Sequence, residues 1–284
     1  MKNPIEVRKT ERYLLSMTLI NKTPQRIRHE TRLRLLEVQD VKHLTPLMVR
    51  VTLAGDQLDG FVSAGYGDHI KVFFPPAGSG PIVPVLGPDG ISFPEDKPRP
   101  EMRDYTPRNY HPATNTLDVD FVLHGDGPAS TWAAQAKAGQ QIVIGGPRGS
   151  MIIPDAYDWY FLAGDETALP AISRRLEELP ASARVVAVIE VADKAEEQNI
   201  KTSAKAETIW VHRNGAEAGN NDLLLQTVKS LALPEGDCYA FIACESGISK
   251  SVRNHLVEER GFNSEWVKAA GYWLRGVADA HEPH

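Results

Sequence analysis

The residues best suited to chemistry stand together in one short stretch, Arg103-Asp104-Tyr105-Thr106-Pro107-Arg108. A flavin dinucleotide needs a cation for its pyrophosphate, a flat apolar surface for its ring system, and a small hydrogen-bond donor near the redox-active nitrogen. Arg103, Tyr105 and Thr106 offer these in that order. On an extended chain residues two apart share a face, so Arg103 and Tyr105 can reach one ligand while Thr106 bonds through its backbone or hydroxyl. Taken alone, the same residues also fit an ordinary exposed strand. The rest of the chain has to separate the two readings.

A second element, His124-Gly125-Asp126-Gly127-Pro128-Ala129-Ser130-Thr131-Trp132-Ala133, leaves a strand, passes through glycines and enters a helix carrying Trp132. Backbone N–H groups and the dipole at a helix start attract anions. A Ser/Thr-capped strand-to-helix turn is the plainer reading. With Arg103 in the same half of the chain, a pyrophosphate site is favoured. Gly145-Gly146-Pro147-Arg148-Gly149-Ser150 allows close backbone approach or a tight corner. Arg148 there, and Lys71 in Asp68-His69-Ile70-Lys71, are candidate docking cations or plain solvated charges. Gly164-Asp165-Glu166-Thr167-Ala168-Leu169-Pro170 stands where a dinucleotide loop belongs, with one glycine and two acids in place of a glycine-rich fingerprint. Cys244 is read as core filler, and His69 and His124 as structural or surface residues. Tyr272 and Trp273, near the C-terminus, either pack a terminal segment or cover the flavin face.

The elements that must position these residues fall into two sets. Short runs at 33–38, 48–53, 70–74, 117–123 and 141–144, punctuated by Gly and Asp, predict a small N-terminal antiparallel β-barrel. A proline-rich segment at 75–107 is expected to form a stiff lip beside the flavin. From about position 154, near-continuous apolar runs at 159–163, 184–191, 208–211 and 239–243 alternate with helical stretches at 168–179, 222–231 and 248–259. That pattern predicts a parallel-sheet α/β domain, which places 164–167 and 244–247 on the ligand-binding edge. The resulting division is a mobile tail at 1–25, a barrel domain at 26–153, an α/β domain at 154–270 and a C-terminal segment at 271–284.

Composition narrows the function classes. A formal net charge of −6 over 284 residues argues against a general nucleic-acid binder. No apolar run reaches membrane-spanning length, and the first thirty residues lack a signal-type apolar core. Two cysteines are too few for a disulfide framework, and no Cys/His spacing predicts a metal site. A cytoplasmic setting is expected.

The order of these motifs, from Asp68-His69-Ile70-Lys71 through the two flavin elements and the Gly-Asp-Glu-Thr-Ala-Leu-Pro loop to Gly271-Tyr272-Trp273, resembles the siderophore-interacting protein family, a bacterial branch of the ferredoxin-reductase-like flavoproteins. The resemblance implies an FAD-binding β-barrel, an α/β nicotinamide-binding domain, and reduction of ferric siderophores to release ferrous iron. It implies that Arg103, Tyr105 and Thr106 hold the flavin, with Tyr105 and Thr106 nearest the chemistry. His124, Gly127, Ala129, Ser130 and Trp132 would line its pyrophosphate and adenine side. Gly164, Glu166 and Thr167 would face the nicotinamide pocket, with Tyr272 and Trp273 near the ring. Arg213 and Arg253 are the cations to test for the 2′-phosphate of NADPH; NADH and ferredoxin are the other donors. Lys71 and Arg148 are the expected docking cations for an anionic ferric siderophore, and a monomer is expected. Competing readings are a siderophore-binding iron chaperone with a vestigial flavin, and a general flavin reductase.

Overall fold

The structure, a computed structural model, describes residues 21–277 apart from positions 77, 88, 89 and 126. Most of the segment read as a tail, 1–20, lies outside the described residues. The remainder of it is attached: Lys22 pairs with Asp237 and lies over the rings of Tyr157 and Trp266, and Gln25 opens the first strand.

The N-terminal half holds β1 (Gln25–Arg28), β2 (Leu33–Thr45), β3 (Met48–Ala54), β4 (Ile70–Phe74), β5 (Val85–Gly87), β6 (Gly90–Ser92), β7 (Glu101–Tyr105), β8 (Pro107–His111), β9 (Thr116–Val122), helix α1 (Pro128–Gln135), β10 (Gln141–Gly145) and β11 (Gly149–Ile152). Seven of these strands form one antiparallel sheet in the order β7-β4-β10-β2-β3-β9-β8. Its edge strands, β7 and β8, are separated in sequence by Thr106 alone. The sheet therefore curls until its two edges meet at that residue, which makes the expected barrel a half-barrel with a seam. Leu36, Val49, Val51, Leu53, Ile70, Val72, Leu117, Val119 and Phe121 fill its interior. On β3 and β9 they alternate with polar residues of the opposite face, which on β9 is covered too: Asp118 is buried against Thr52, and Asp120 against Arg50 and Arg108.

The proline-rich stretch after β4 contains the small β5–β6 hairpin before it enters β7. Phe93 anchors it, packing on Phe73 at 6.2 Å between ring centroids, with Arg99 over its ring. The β1–β11 pair forms a separate two-stranded sheet.

The second half continues with β12 (Trp159–Gly164), α2 (Leu169–Glu178), β13 (Arg184–Val191), β14 (Lys205–His212), α3 (Leu223–Ser230), β15 (Cys238–Glu245), α4 (Ser246–Asn254) and β16 (Val267–Trp273). These strands make one parallel sheet in the order β14-β13-β12-β15-β16. β12 and β15 are buried along their whole length, as strands covered on both faces must be. Because β13 and β15 leave β12 on opposite sides, the order reverses beside it, and the carboxyl ends of β12 and β15 form the crevice where such sheets bind ligands. Tyr272 and Trp273 belong to β16; they are part of the sheet and not of a segment beyond it. Cys238 and Cys244 are free and buried, and burial pushes both thiols upward, in keeping with core filler. Among the described residues no helix is long and apolar enough to cross a membrane.

Candidate functional site

The stretch that opened the sequence reading serves both halves of the molecule. Tyr105 and Arg103 pair with Ile70 and Val72 on β4, so both project from one face of β7. Tyr105 joins an aromatic cluster with Phe121 at 4.4 Å and Phe74 at 6.1 Å; Trp132 of α1 closes it at 5.6 Å from Phe121 and 5.7 Å from Phe74. The stretches 103–108 and 124–133 are thus held against each other by rings. Burial pushes the Tyr105 phenol up, and the Arg103 guanidinium acts in the opposite sense. Arg103 is half-buried; its Nη1 donates to the Met102 carbonyl at 2.7 Å and pairs with the exposed Glu101 carboxylate at 3.1 Å.

Beyond the seam, the next two residues grip the α/β domain. The Arg108 guanidinium makes a bidentate pair with Glu177 of α2, at 2.5 and 2.8 Å. The Pro107 carbonyl accepts from Arg174 of the same helix at 3.0 Å, and Arg174 also donates to Ser63. A second clamp joins the domains at Glu196, whose carboxylate accepts from the Thr45 hydroxyl at 2.5 Å and the Leu47 N–H at 3.0 Å.

Helix α1 starts at Pro128 after Gly127, and no side chain caps it. The first-turn N–H groups of Ala129 and Ser130 therefore lack a capping carboxylate or hydroxyl. A Cβ placed on Gly125 or Gly127 would meet nothing within 4 Å, so the approach is open. The Ala129 side chain sits in the barrel core, and the Ser130 hydroxyl accepts from the His124 N–H at 2.9 Å. His124 itself is exposed. This donor set fits a flavin dinucleotide: a guanidinium, an open uncapped helix start, aromatic rings, and strand edges at the seam with main-chain groups left unpaired by the sheet.

At the other side of the site, Gly164 ends β12. A Cβ there would lie 2.3 Å from the Ala243 carbonyl oxygen and 2.7 Å from Ala168 Cβ, so strand–strand and strand–helix packing both demand glycine. The two acids that follow face the protein. Asp165 is buried; its Oδ1 accepts from the N–H and hydroxyl of Thr167 at 2.9 and 2.5 Å, and its Oδ2 from Trp273 Nε1 and the Glu245 N–H. Burial first, then the Glu166 charge, raises the Asp165 pKa to about 6. Glu166 forms a bidentate pair with Arg213 at 2.5 and 2.6 Å, and Arg213 also reaches Glu190, at the carboxyl end of β13, at 3.4 Å. One Glu190 oxygen is buried without a hydrogen-bond partner, and burial raises that carboxyl.

The structure gathers most of the expected residues and separates a few. Tyr272 lies against the barrel: burial drives its phenol up, and the Thr106 side chain beside it partly offsets that rise. Trp273 is held edge-on by Asp165, with the Gly219 backbone against its ring, where any Cβ would sit 2.5 Å away. Glu166 and Thr167 turn inward, to Arg213 and Asp165. Arg253 stands in the last turn of α4, about 10 Å along the helix from the sheet's carboxyl edge. It does not join Arg213. The start of α4 is filled by Glu245, whose carboxylate accepts from the N–H groups of Gly247 and Ile248 at 2.6 and 3.0 Å; the start of α2 has no side-chain cap. Lys71 pairs with Asp104 at 2.8 Å, while Arg148 is exposed. The sequence reading placed Glu245 on the binding edge without a role, and missed Glu190 and the strand-joining role of Asp165. An acid ending each of two buried apolar strands was the available signal.

Two family patterns cover this architecture: the siderophore-interacting FAD-binding domain matches residues 37–151, and the siderophore-interacting protein family matches residues 157–276. An NADPH-dependent ferric-chelate reductase of Escherichia coli is 34% identical over 253 residues, spanning 88% of this chain and 96% of that protein. The ferric vibriobactin reductase ViuB of Vibrio cholerae is 36% identical over 247 residues, spanning 86% and 90%. The crystal structure of a siderophore utilization protein from T. fusca superposes with a TM-score of 0.85 at 39% identity, covering 91% of this chain and 99% of that one. With both domains matched and relatives of this identity aligned along nearly their whole lengths, the chain belongs to the siderophore-interacting protein family.

Proposed function

We propose that the protein is an FAD-dependent reductase of ferric siderophores and related ferric chelates, taking its electrons from NADPH and releasing ferrous iron in the cytoplasm. The observation that supports this most is the curl of the half-barrel. It sets Arg103, Tyr105 and Thr106 at a seam, beside an open helix start and facing the carboxyl edge of a parallel sheet.

Bound FAD supplies the chemistry that side chains lack, accepting a hydride from a nicotinamide and delivering electrons singly to ferric iron. The protein's part is to bind, orient and exclude water. Arg103 and the first-turn N–H groups of α1 neutralise the pyrophosphate. Tyr105 and Trp132, fixed by Phe74 and Phe121, provide the apolar wall. Thr106 offers a hydroxyl and an N–H at the seam, and Tyr272 covers them from the opposite domain. Arg213 is the cation for the 2′-phosphate, which must displace Glu166 from its bidentate pairing to bind. Arg148 is the main docking cation for an anionic chelate. Lys71 contributes less because Asp104 already holds it.

Anaerobic absorbance titration tests this reading. NADPH is expected to bleach the bound flavin, and a ferric siderophore to restore its colour as ferrous iron appears. A flavin that neither NADPH nor NADH bleaches would point to ferredoxin as donor. Ferric-siderophore binding without turnover would support the chaperone reading instead.

A further inference from the structure

A guanidinium taken out of water needs an anionic partner, or hydrogen bonds enough to offset its lost hydration. Arg34 on β2 is only 4% exposed. Its hydrogen-bond partners are neutral: Nε donates to the Gln57 carbonyl at 2.9 Å, and Nη1 to the carbonyls of Gly146 at 2.9 Å and Arg32 at 3.4 Å. Its face lies over Phe61, 5.2 Å from the ring centroid. Among the described residues no carboxylate pairs with it, and its Nη2 makes no hydrogen bond.

Arg34 lines a recess of about 220 Å³ together with Arg28, His29, Arg32 and the backbone of Gly60 and Gly146. Both glycines have positive φ, +68° and +93°, and a Cβ on Gly60 would meet nothing within 4 Å, so that wall is bare main chain. Among the described residues the one acid at the rim is Glu30, which is 75% exposed and already chelated by Arg32 at 2.6 and 2.9 Å. Arg28 is exposed and makes no ion pair among the described residues. The inward-turned Asp68 lies behind Ser150, which stands between it and His29; Asp68 is satisfied by Ser63, Ser150 and the Gly65 N–H. Among the described residues three arginines thus face one outward-turned glutamate, and the buried arginine has no counter-charge. Burial and the like charge of Arg32 accordingly lower the Arg34 pKa.

We propose that this recess is a binding site for a small oxyanion, phosphate or the carboxylate of a polycarboxylate, with Arg34 as its fixed cation and Arg28 and Arg32 as its outer ones. The volume is below the range for nucleotide-sized ligands and suits a compact anion. Arg34 is pre-ordered by three carbonyls and a ring, so little side-chain entropy is lost when the anion binds. The site borders the loop that carries Arg148, whose carbonyl accepts from the His29 N–H at 3.0 Å. Neither the flavin nor the nicotinamide is involved. The proposal stands whether or not the reductase reading does.

Isothermal titration of the flavin-loaded full-length protein tests it, with inorganic phosphate, citrate and ferric citrate as separate titrants and chloride at matched ionic strength as control. The companion readout is the arginine Nε–H NMR spectrum, with the Arg34 resonance assigned by its loss in Arg34→Lys. Saturable one-site binding of phosphate that moves the Arg34 resonance, weakened about tenfold in Arg28→Ala/Arg32→Ala, is the expected result. Binding of citrate or ferric citrate in place of phosphate, with the same dependence, assigns the site to a carboxylate source. The double variant alters an exposed surface, so it keeps the test valid if Arg34→Lys does not fold. No saturable binding beyond the chloride control, or binding unchanged in the double variant, overturns the proposal.

Discussion

Trp273 Nε1 donates to Asp165 Oδ2 at 2.7 Å, and the same oxygen accepts the Glu245 N–H at 3.2 Å. One buried carboxylate therefore ties together the carboxyl ends of β12, β15 and β16, the edge on which a nicotinamide nucleotide would lie. Its pKa of about 6 stands above the ordinary aspartate value, so the folded protein holds a proton that the unfolded chain releases. The stability this group contributes falls as pH rises from about 4 to about 6, and stays lower above that window. The Trp273 hydrogen bond lowers this pKa. Trp273→Phe is therefore expected to move the Asp165 midpoint upward, as followed by carboxyl-carbon NMR. An unchanged midpoint would mean that the bond does not act on the carboxylate.

Arg103→Gln is expected to weaken flavin retention by tenfold or more, about 1.4 kcal/mol or above, while leaving the far-UV circular dichroism intact. Arg103 is half-buried, and its pairing with the Glu101 carboxylate lies at an exposed position where water can replace it. Flavin-to-protein ratio after gel filtration is the measurement.

Removing Arg213 leaves Glu166 and Glu190 facing each other without their shared cation. Arg213→Gln should lower the unfolding free energy by about 3 kcal/mol, as expected for breaking a buried pair, and raise KM for NADPH much more than KM for NADH. Equal effects on the two nucleotides would remove Arg213 from recognition of the 2′-phosphate.

The Glu196 clamp joins the domains through hydrogen bonds from the buried Thr45 hydroxyl and from the main-chain N–H of the exposed Leu47. Glu196→Ala should cost about 1–3 kcal/mol, the penalty for a buried polar group left unpaired. The loss should appear in thermal unfolding. Glu196→Gln, which keeps one acceptor, should recover part of it.

Charge at the docking face should act through Arg148 more than Lys71, because Asp104 partly neutralises the lysine. Arg148→Gln is expected to raise KM for an anionic ferric siderophore several-fold at low ionic strength, with Lys71→Gln smaller and both effects shrinking as salt rises. A KM that ignores both substitutions at low salt would remove these residues from docking.

Much of the protein was legible in its sequence because the relevant information is local. Alternation along 117–123 names a strand, and the apolar runs at 159–163 and 239–243 name strands covered on both faces, from nearest-neighbour periodicity alone. Arg103, Tyr105 and Thr106 announced their chemistry through residue type and a two-residue spacing on one strand, and His124 to Trp132 through glycines running into a helix. What tertiary structure decided is everything that depends on strand order and on which way a side chain turns. That β7 and β8 are opposite sheet edges, so that Thr106 becomes the seam, follows from pairings between residues far apart in sequence. The acids at 165 and 166 looked hostile to phosphate. Folding turns them to Trp273 and Arg213, where they hold the sheet edge together. Arg213 and Arg253 were equivalent as residue types; one lies at the strand ends and the other a helix length away. Arg34 falls within the strand run at 33–38, where nothing local sets it apart from other charged residues. Packing against Phe61, Gln57 and Gly146 buries it with no carboxylate partner among the described residues, because desolvation belongs to the assembled fold and not to the residue.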